Sequence, residues 1–201
     1  MGVDMSGGGK DPMIIMPRYD SWFAMPIEIE ASRFDTTKLS QQAAGFIVGE
    51  RRDKALVTID LGGGYGAGTY EQSAGERSKV SGLPFRNVRS AAIWLLREAL
   101  DPSQPGGSDI ALPRDCPELV ADLTAPTYKI VNNTIVIESK EDVVARLGRS
   151  TDRGDAAIMA WYRGRRDATH ALDFIDAKQR HAKRGQTPRV ITGRQPHTGR
   201  R

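Results

Sequence analysis

Residues Ala55–Leu61 read Ala-Leu-Val-Thr-Ile-Asp-Leu, a nearly unbroken apolar run that reaches an acid and passes straight into glycines. A short run of this kind, without strict alternation, marks a strand buried on both faces, as in parallel sheets. Parallel pairing needs a crossover, usually helical, so this segment points to an α/β chain. Its surroundings agree. Met13–Met16 and Trp22–Glu30 read as strands joined by a turn at Pro17–Ser21, the second alternating around Phe23, Met25, Ile27 and Ile29. Thr36–Arg51 is predicted helical, with Leu39, Ala43, Phe46 and Ile47 on one stripe and Thr36 or Thr37 as its cap. A brief strand is expected around Val80–Phe85, then helices over Val88–Leu100 and Arg114–Leu123. Tyr128–Val131 and Thr134–Ile137 make a hairpin turning at Asn132-Asn133, and helices follow at Lys140–Leu147 and Asp152–Tyr162. Trp22, Trp94 and Trp161 are expected in or beside the core. The order suits a mixed sheet with helices on its faces.

With 201 residues the chain suits one domain, or one domain with an appendage. No stretch approaches the roughly 18 apolar residues of a membrane helix. The start, Met-Gly-Val-Asp, resembles no signal peptide, and the lone Cys116 cannot form an internal disulfide, so a cytoplasmic setting is expected. Charge is unevenly spread: residues 163–201 carry 11 Lys/Arg against 3 Asp/Glu, although the whole chain is only +4. A basic tail on a mildly acidic body fits a polyanionic partner, with a merely solvated tail as the plainer alternative. Gly185–Arg201 is expected to be disordered.

Chemistry is suggested by acids at three kinds of place. Asp60 ends the apolar strand, where functional groups of open α/β sheets gather. A carboxylate there is costly unless paired or metal-bound, and the glycines behind it would let a nucleic-acid backbone approach. Capping the turn is its simpler role. Gly62–Ala67 mimics a dinucleotide fingerprint, but the acid expected about 20 residues later is missing from Lys79–Phe85. Gly7-Gly8-Gly9-Lys10 is followed by Asp11 rather than Ser or Thr, which rules out a phosphate-binding loop of the ATPase kind. Asp4 precedes that loop and reads equally well as a turn residue. Asp152 and Asp155 open a helix, where acids suit the dipole; three apart, however, they share a face and repel unless a cation lies between them. Carboxylates from two strand ends and a helix start could hold a pair of divalent cations suited to phosphodiester cleavage. His170, His181 and His197 lack ligand spacing.

Several stretches together resemble the nuclease domain of bacteriophage large terminases. They are Gly-Val-Asp-Met-Ser-Gly-Gly-Gly-Lys-Asp, Thr-Ile-Asp-Leu-Gly-Gly-Gly-Tyr-Gly-Ala-Gly and Asn-Val-Arg-Ser-Ala-Ala-Ile-Trp-Leu-Leu-Arg-Glu-Ala-Leu-Asp-Pro. Ile-Val-Ile-Glu-Ser-Lys-Glu-Asp-Val-Val-Ala-Arg-Leu-Gly-Arg-Ser and Asp-Arg-Gly-Asp-Ala-Ala complete the set, which covers most of 2–162. The resemblance implies a ribonuclease H-like mixed sheet flanked by helices over 1–165, with a basic, partly disordered tail over 166–201. It implies an endonuclease that cuts concatemeric viral DNA during packaging, by two-metal hydrolysis with Mg²⁺ or Mn²⁺. By that resemblance Asp4, Asp60 and Asp155 are the catalytic acids, and Asp152 joins them as a metal ligand in an auxiliary position. One metal would activate water and the other stabilise the leaving 3′ oxygen. Double-stranded DNA, an ATPase motor, a small terminase subunit and a portal are the implied partners, without a membrane. Large terminases carry their motor upstream, and no nucleotide-binding pattern occurs here, so a nuclease-only piece is expected. Because Asp4 is so near residue 1, its strand is expected to be short and Asp4 loosely held. An inert DNA- or capsid-binding remnant and a Holliday-junction resolvase are the competing readings.

Overall fold

A computed structural model describes residues 1–5, 10–60, 76–162, 173–175 and 177–181, with Asp60 described in its backbone only. Among the described residues four strands form the central sheet: β1 (Gly2–Asp4), β2 (Met13–Met16), β5 (Ile27–Ile29) and β6 (Thr58–Asp60). Their order is β5-β2-β1-β6; β1 runs antiparallel to β2 and parallel to β6, and β2 runs antiparallel to β5. The sheet is therefore mixed, as expected.

Side chains alternate across a strand, and β2 shows what that does to an all-apolar run. Met13 and Ile15 join Val3, Ile29, Val57, Ala43 and Ile47 in a core under helix α1 (Leu39–Glu50). Ile14 and Met16 join Phe23, Leu119, Ala156 and Ala157 on the opposite face, under α3 (Pro117–Thr124) and α5 (Asp152–Trp161). With helices on both faces the strand can be apolar throughout. A third core joins α2 (Val88–Leu100), strand β8 (Thr134–Ile137) and Ile158 of α5.

Several elements stand where the sequence places them. Helix α2 keeps its expected limits, with the Asn87 side chain accepting the Ser90 N–H. Strand β7 (Tyr128–Val131) pairs with β8 through a turn in which Asn132 and Asn133 both have positive φ, the reason asparagine is favoured there. Helix α4 (Lys140–Leu147) ends at Gly148, which is left-handed as a helix stop requires.

Other expectations are corrected. Trp22–Glu30 is not one strand: β3 (Arg18–Tyr19) and β4 (Trp22–Phe23) form a small hairpin, and β5 begins only after Pro26. Proline offers no N–H to a ladder, and it separates exposed Met25 from buried Ile29. Trp22 is 51% exposed and stacks on Tyr19 rather than entering the core. Helix α1 starts at Leu39 without a side-chain cap, because the Thr37 hydroxyl donates to Asp35 instead. The third helix starts at Pro117, three residues later than expected.

No strand forms at Val80–Phe85. Glu98 of α2, buried, accepts from Ser78 Oγ (2.5 Å), Trp94 Nε1 (2.7 Å), Lys79 N (3.0 Å) and Val80 N (3.4 Å), so the chain curls around its carboxylate. Burial alone would raise the Glu98 carboxyl, but these donors outweigh it and hold it below the usual range.

Two outcomes are expected. Gly2→Ala would place a Cβ 2.0 Å from the Ala156 carbonyl and 2.4 Å from Ala160 N, so α5 must lift off β1. Overpacking of this kind costs about 1–3 kcal/mol or more, readable as a lower urea midpoint. Glu98→Gln should cost about 1–3 kcal/mol at neutral pH by weakening charge-assisted bonds. A depressed carboxylate stabilises above its unfolded pKa and loses that contribution as pH falls through its folded pKa, so the gap between parent and variant should close on acidification. An undiminished gap at low pH would show that the charge of Glu98 is not what matters.

Candidate metal centre

Gly2 and Asp4 point from β1 towards α5, while Val3 between them points to α1, so the strand delivers Asp4 to the helix face. Asp4 is 6% exposed and lies in the middle of the sheet, between Ile14 of β2 and Asp60 of β6 in register. The expectation of a loosely held Asp4 is therefore corrected: three residues suffice because both neighbouring strands and α5 pack on them.

From the other side, the first turn of α5 brings Asp152 and Asp155. Two hydroxyls just ahead of the helix orient them: Ser150 Oγ donates to Asp152 Oδ1, and Thr151 Oγ1 donates to Asp155 Oδ2 at 3.2 Å. One carboxylate oxygen from each of Asp4, Asp152 and Asp155 lies within 4.8 Å of the others. Asp60 shares the register of Asp4 by its backbone; its side chain lies outside the described residues, as do Gly7–Gly9 and the glycines at 62–68.

Lys140 enters this cluster, and sequence reasoning missed it. Its ammonium is 2.9 Å from Asp155 Oδ2, 3.3 Å from Asp4 Oδ2 and 3.6 Å from Asp152 Oδ1. The β8–α4 junction places it there: Ser139 caps α4 by accepting the Asp142 N–H, and buried Arg89 donates to the Glu138 carbonyl at 2.5 Å. A signal existed. Lysine at the first position of a helix opposes the dipole, and a broken local rule often marks a site.

Electrostatically the cluster is short of positive charge. Burial pushes the Asp4 carboxyl up to about 8; Lys140 opposes the shift, while Asp155 and Asp152 add to it. Burial would lower the Lys140 ammonium, yet attraction to Asp155, Asp4 and Asp152 outweighs it and holds the group charged beyond its ordinary range. The donor set fits a hard divalent cation. All three donors are carboxylate oxygens, and such ions bind oxygen at roughly 2.0–2.6 Å, so opposite ligands stand about 4–5 Å apart. The ammonium sits where such an ion would be shared.

The architecture matches known structures. The nuclease domain of the large terminase subunit gp2 of bacterial virus Sf6 aligns with a TM-score of 0.57 and 17% identity, over 82% of this chain and 87% of that one. The fold is that of a large-terminase nuclease domain. A lysine-to-alanine mutant of that domain with manganese and beta-thujaplicinol aligns at a TM-score of 0.53 and 18% identity, over 82% and 87%. The corresponding mutant with calcium aligns at 0.53 and 17%, over 81% and 87%. No protein-family model and no curated relative matches the chain. On this terminase-type scaffold the acids lie where β1 and α5 meet, and Cys116 is buried in the α3 core. His181 is exposed, and His170 and His197 lie outside the described residues.

Lys140→Ala should lower the melting temperature without metal, because three acids lose their shared cation. Mn²⁺ at a hundredfold excess over the variant's Kd should then stabilise the variant by about 2.7 kcal/mol, and the parent by less. Equal Mn²⁺ shifts in both would show that the ammonium and the ion do not compete.

Proposed function

We propose that the chain is a metal-dependent DNA endonuclease of the large-terminase kind, cutting concatemeric viral DNA during packaging. Asp4, Asp60 and Asp155 are its catalytic acids, with Asp152 as an auxiliary metal ligand. The observation that carries this reading is the convergence of Asp4, Asp152 and Asp155 on one cation at the β1–α5 junction. Asp60 is assigned from its register beside Asp4. The terminase-type fold, found in neighbours solved with manganese and with calcium, supports the same reading.

Mg²⁺ or Mn²⁺, bound as a pair, would supply Lewis acidity at the scissile phosphate and a water nucleophile at neutral pH. The carboxylates from β1, β6 and α5 hold that charge and fix its position against the phosphate. Their elements are strands and a packed helix rather than loops, which limits the movement of the donors. Lys140, about one-quarter exposed in its side chain, keeps the acids gathered and can turn its ammonium towards solvent or a phosphate oxygen. In this reading 1–165 is the nuclease domain and the basic 166–201 stretch follows the DNA backbone, its charge supporting a polyanion. The cytoplasm of a bacterial host is the setting, with the packaging motor, small subunit and portal as partners.

Supercoiled plasmid with Mn²⁺ or Mg²⁺ tests the chemistry. Asp60→Asn and Asp155→Asn should each lower nicking on the order of 10²-fold or more, since outer partners of metal ligands alone cost 10–100-fold. An Asp60→Asn variant that cuts like the parent would remove Asp60 from the site. Preference for four-way junctions over plain duplex would turn the reading towards a resolvase. Deleting Gly185–Arg201 should weaken DNA binding and flatten its salt dependence. Binding that survives the deletion unchanged would exclude that stretch.

A further inference from the structure

Thr151 occupies the cap position of α5, yet its side chain makes no capping bond to the helix. Its hydroxyl donates instead to Asp155 Oδ2, and the neighbouring Ser150 hydroxyl donates to Asp152. Both local groups that could have satisfied the free amides of the first turn are therefore turned towards the acids. A helix start buried without a cap is costly, so another group must serve. That group comes from a different helix. Asp122 of α3, its side chain 1% exposed, accepts the Gly154 N–H at 3.2 Å through Oδ2. Gly154 is the third residue of α5, the place an ordinary cap would reach. Arg149 neutralises the other oxygen of Asp122 at 2.5 Å and donates to the Ser150 carbonyl at 2.9 Å, tying the same carboxylate to the segment that orients the acids.

Gly154 makes this arrangement specific. A Cβ there would lie 2.7 Å from Asp122 Cβ and 3.2 Å from its backbone carbon, so the two helices touch with no side chain between them. The far end of α5 is also held from outside, by Arg18 donating to the carbonyls of Ala160 and Trp161 at 3.1 Å each.

We propose that Asp122 is a positioning residue for the metal centre: it caps α5 from α3 and so frees Ser150 and Thr151 to aim Asp152 and Asp155. The inference rests on the reading of that cluster as a metal centre. Asp122 touches no reacting group itself. It acts through the first turn of α5, as outer partners of metal ligands do elsewhere.

The test compares Asp122→Ala with Asp122→Asn, which keeps an acceptor for Gly154 but loses the ion pair with Arg149. Mn²⁺ affinity is read by calorimetry well below the unfolding temperature, and amide exchange at Gly154 and Asp155 is read without metal. Asp122→Ala should bind Mn²⁺ about tenfold more weakly and lose protection at those two amides, whereas Asp122→Asn should stay within about twofold of the parent in both. Retained affinity in a folded Asp122→Ala, or an equal loss in Asp122→Asn, overturns the proposal. If Asp122→Ala does not fold, Asp122→Asn decides alone: retention supports the cap and a tenfold loss overturns it. A parent that binds no Mn²⁺ would refute the metal reading. The exchange data, together with the Lys140–Asp155 distance in crystals of the variants, would then decide whether Asp122 sets the acids.

Discussion

Gly2 lies beneath α5 with nothing between strand and helix, and a single methyl there would strike the Ala156 carbonyl. That approach brings the start of the helix down onto the end of the strand. Asp4 lies two residues beyond Gly2 on the same face, and Asp155 lies one residue before Ala156. The acids therefore meet because their backbones do. Small residues on both elements, with Ala156 and Ala157 continuing the contact, turn two unrelated stretches of sequence into one site.

Gathering three carboxylates at low exposure opposes folding, and the molecule offsets that cost in two ways. Apolar cores on both faces of the sheet supply stabilisation that does not depend on the site, at about 25 cal/mol for each square ångström removed from water. Lys140 then provides local charge, reaching all three acids from α4. Among the described residues one ammonium faces three carboxyl groups, which leaves room for a further cation in the cluster. Stability and chemistry thus pull apart at this place, as they commonly do at functional sites.

Much of the layout was legible in the chain. Helix α2, the Asn132-Asn133 hairpin and helix α4 follow from periodicity, turn chemistry and capping, all of which act within a few residues. The failures share a different cause. At Val80–Phe85 a carboxylate 18 residues away takes the Val80 N–H, serine hydroxyls take those of Ser81 and Leu83, and pairing shrinks to isolated bridges at Pro84 and Phe85. Along residues 23–29 the alternating pattern promised one buried face, but the strand is broken before Pro26 and leaves Met25 exposed; Trp22, expected in or beside the core, stacks on Tyr19 at the surface. Asp122 drew no attention because it looks like an ordinary helix residue until its distant partners are known, and Lys140 carried only the faint signal of a cation at a helix start.

By itself the sequence determined an α/β chain, the kinds of element and the acids with chemical potential, because strand burial, helix caps and turn residues are set by neighbours along the chain. Only the tertiary structure decided which acids share a cation, that Lys140 stands among them, and that Asp122 caps a helix other than its own. Those outcomes depend on how closely β1, α3 and α5 pack. That distance is set by missing side chains at Gly2 and Gly154, whose value appears only once their partners across the contact are in place.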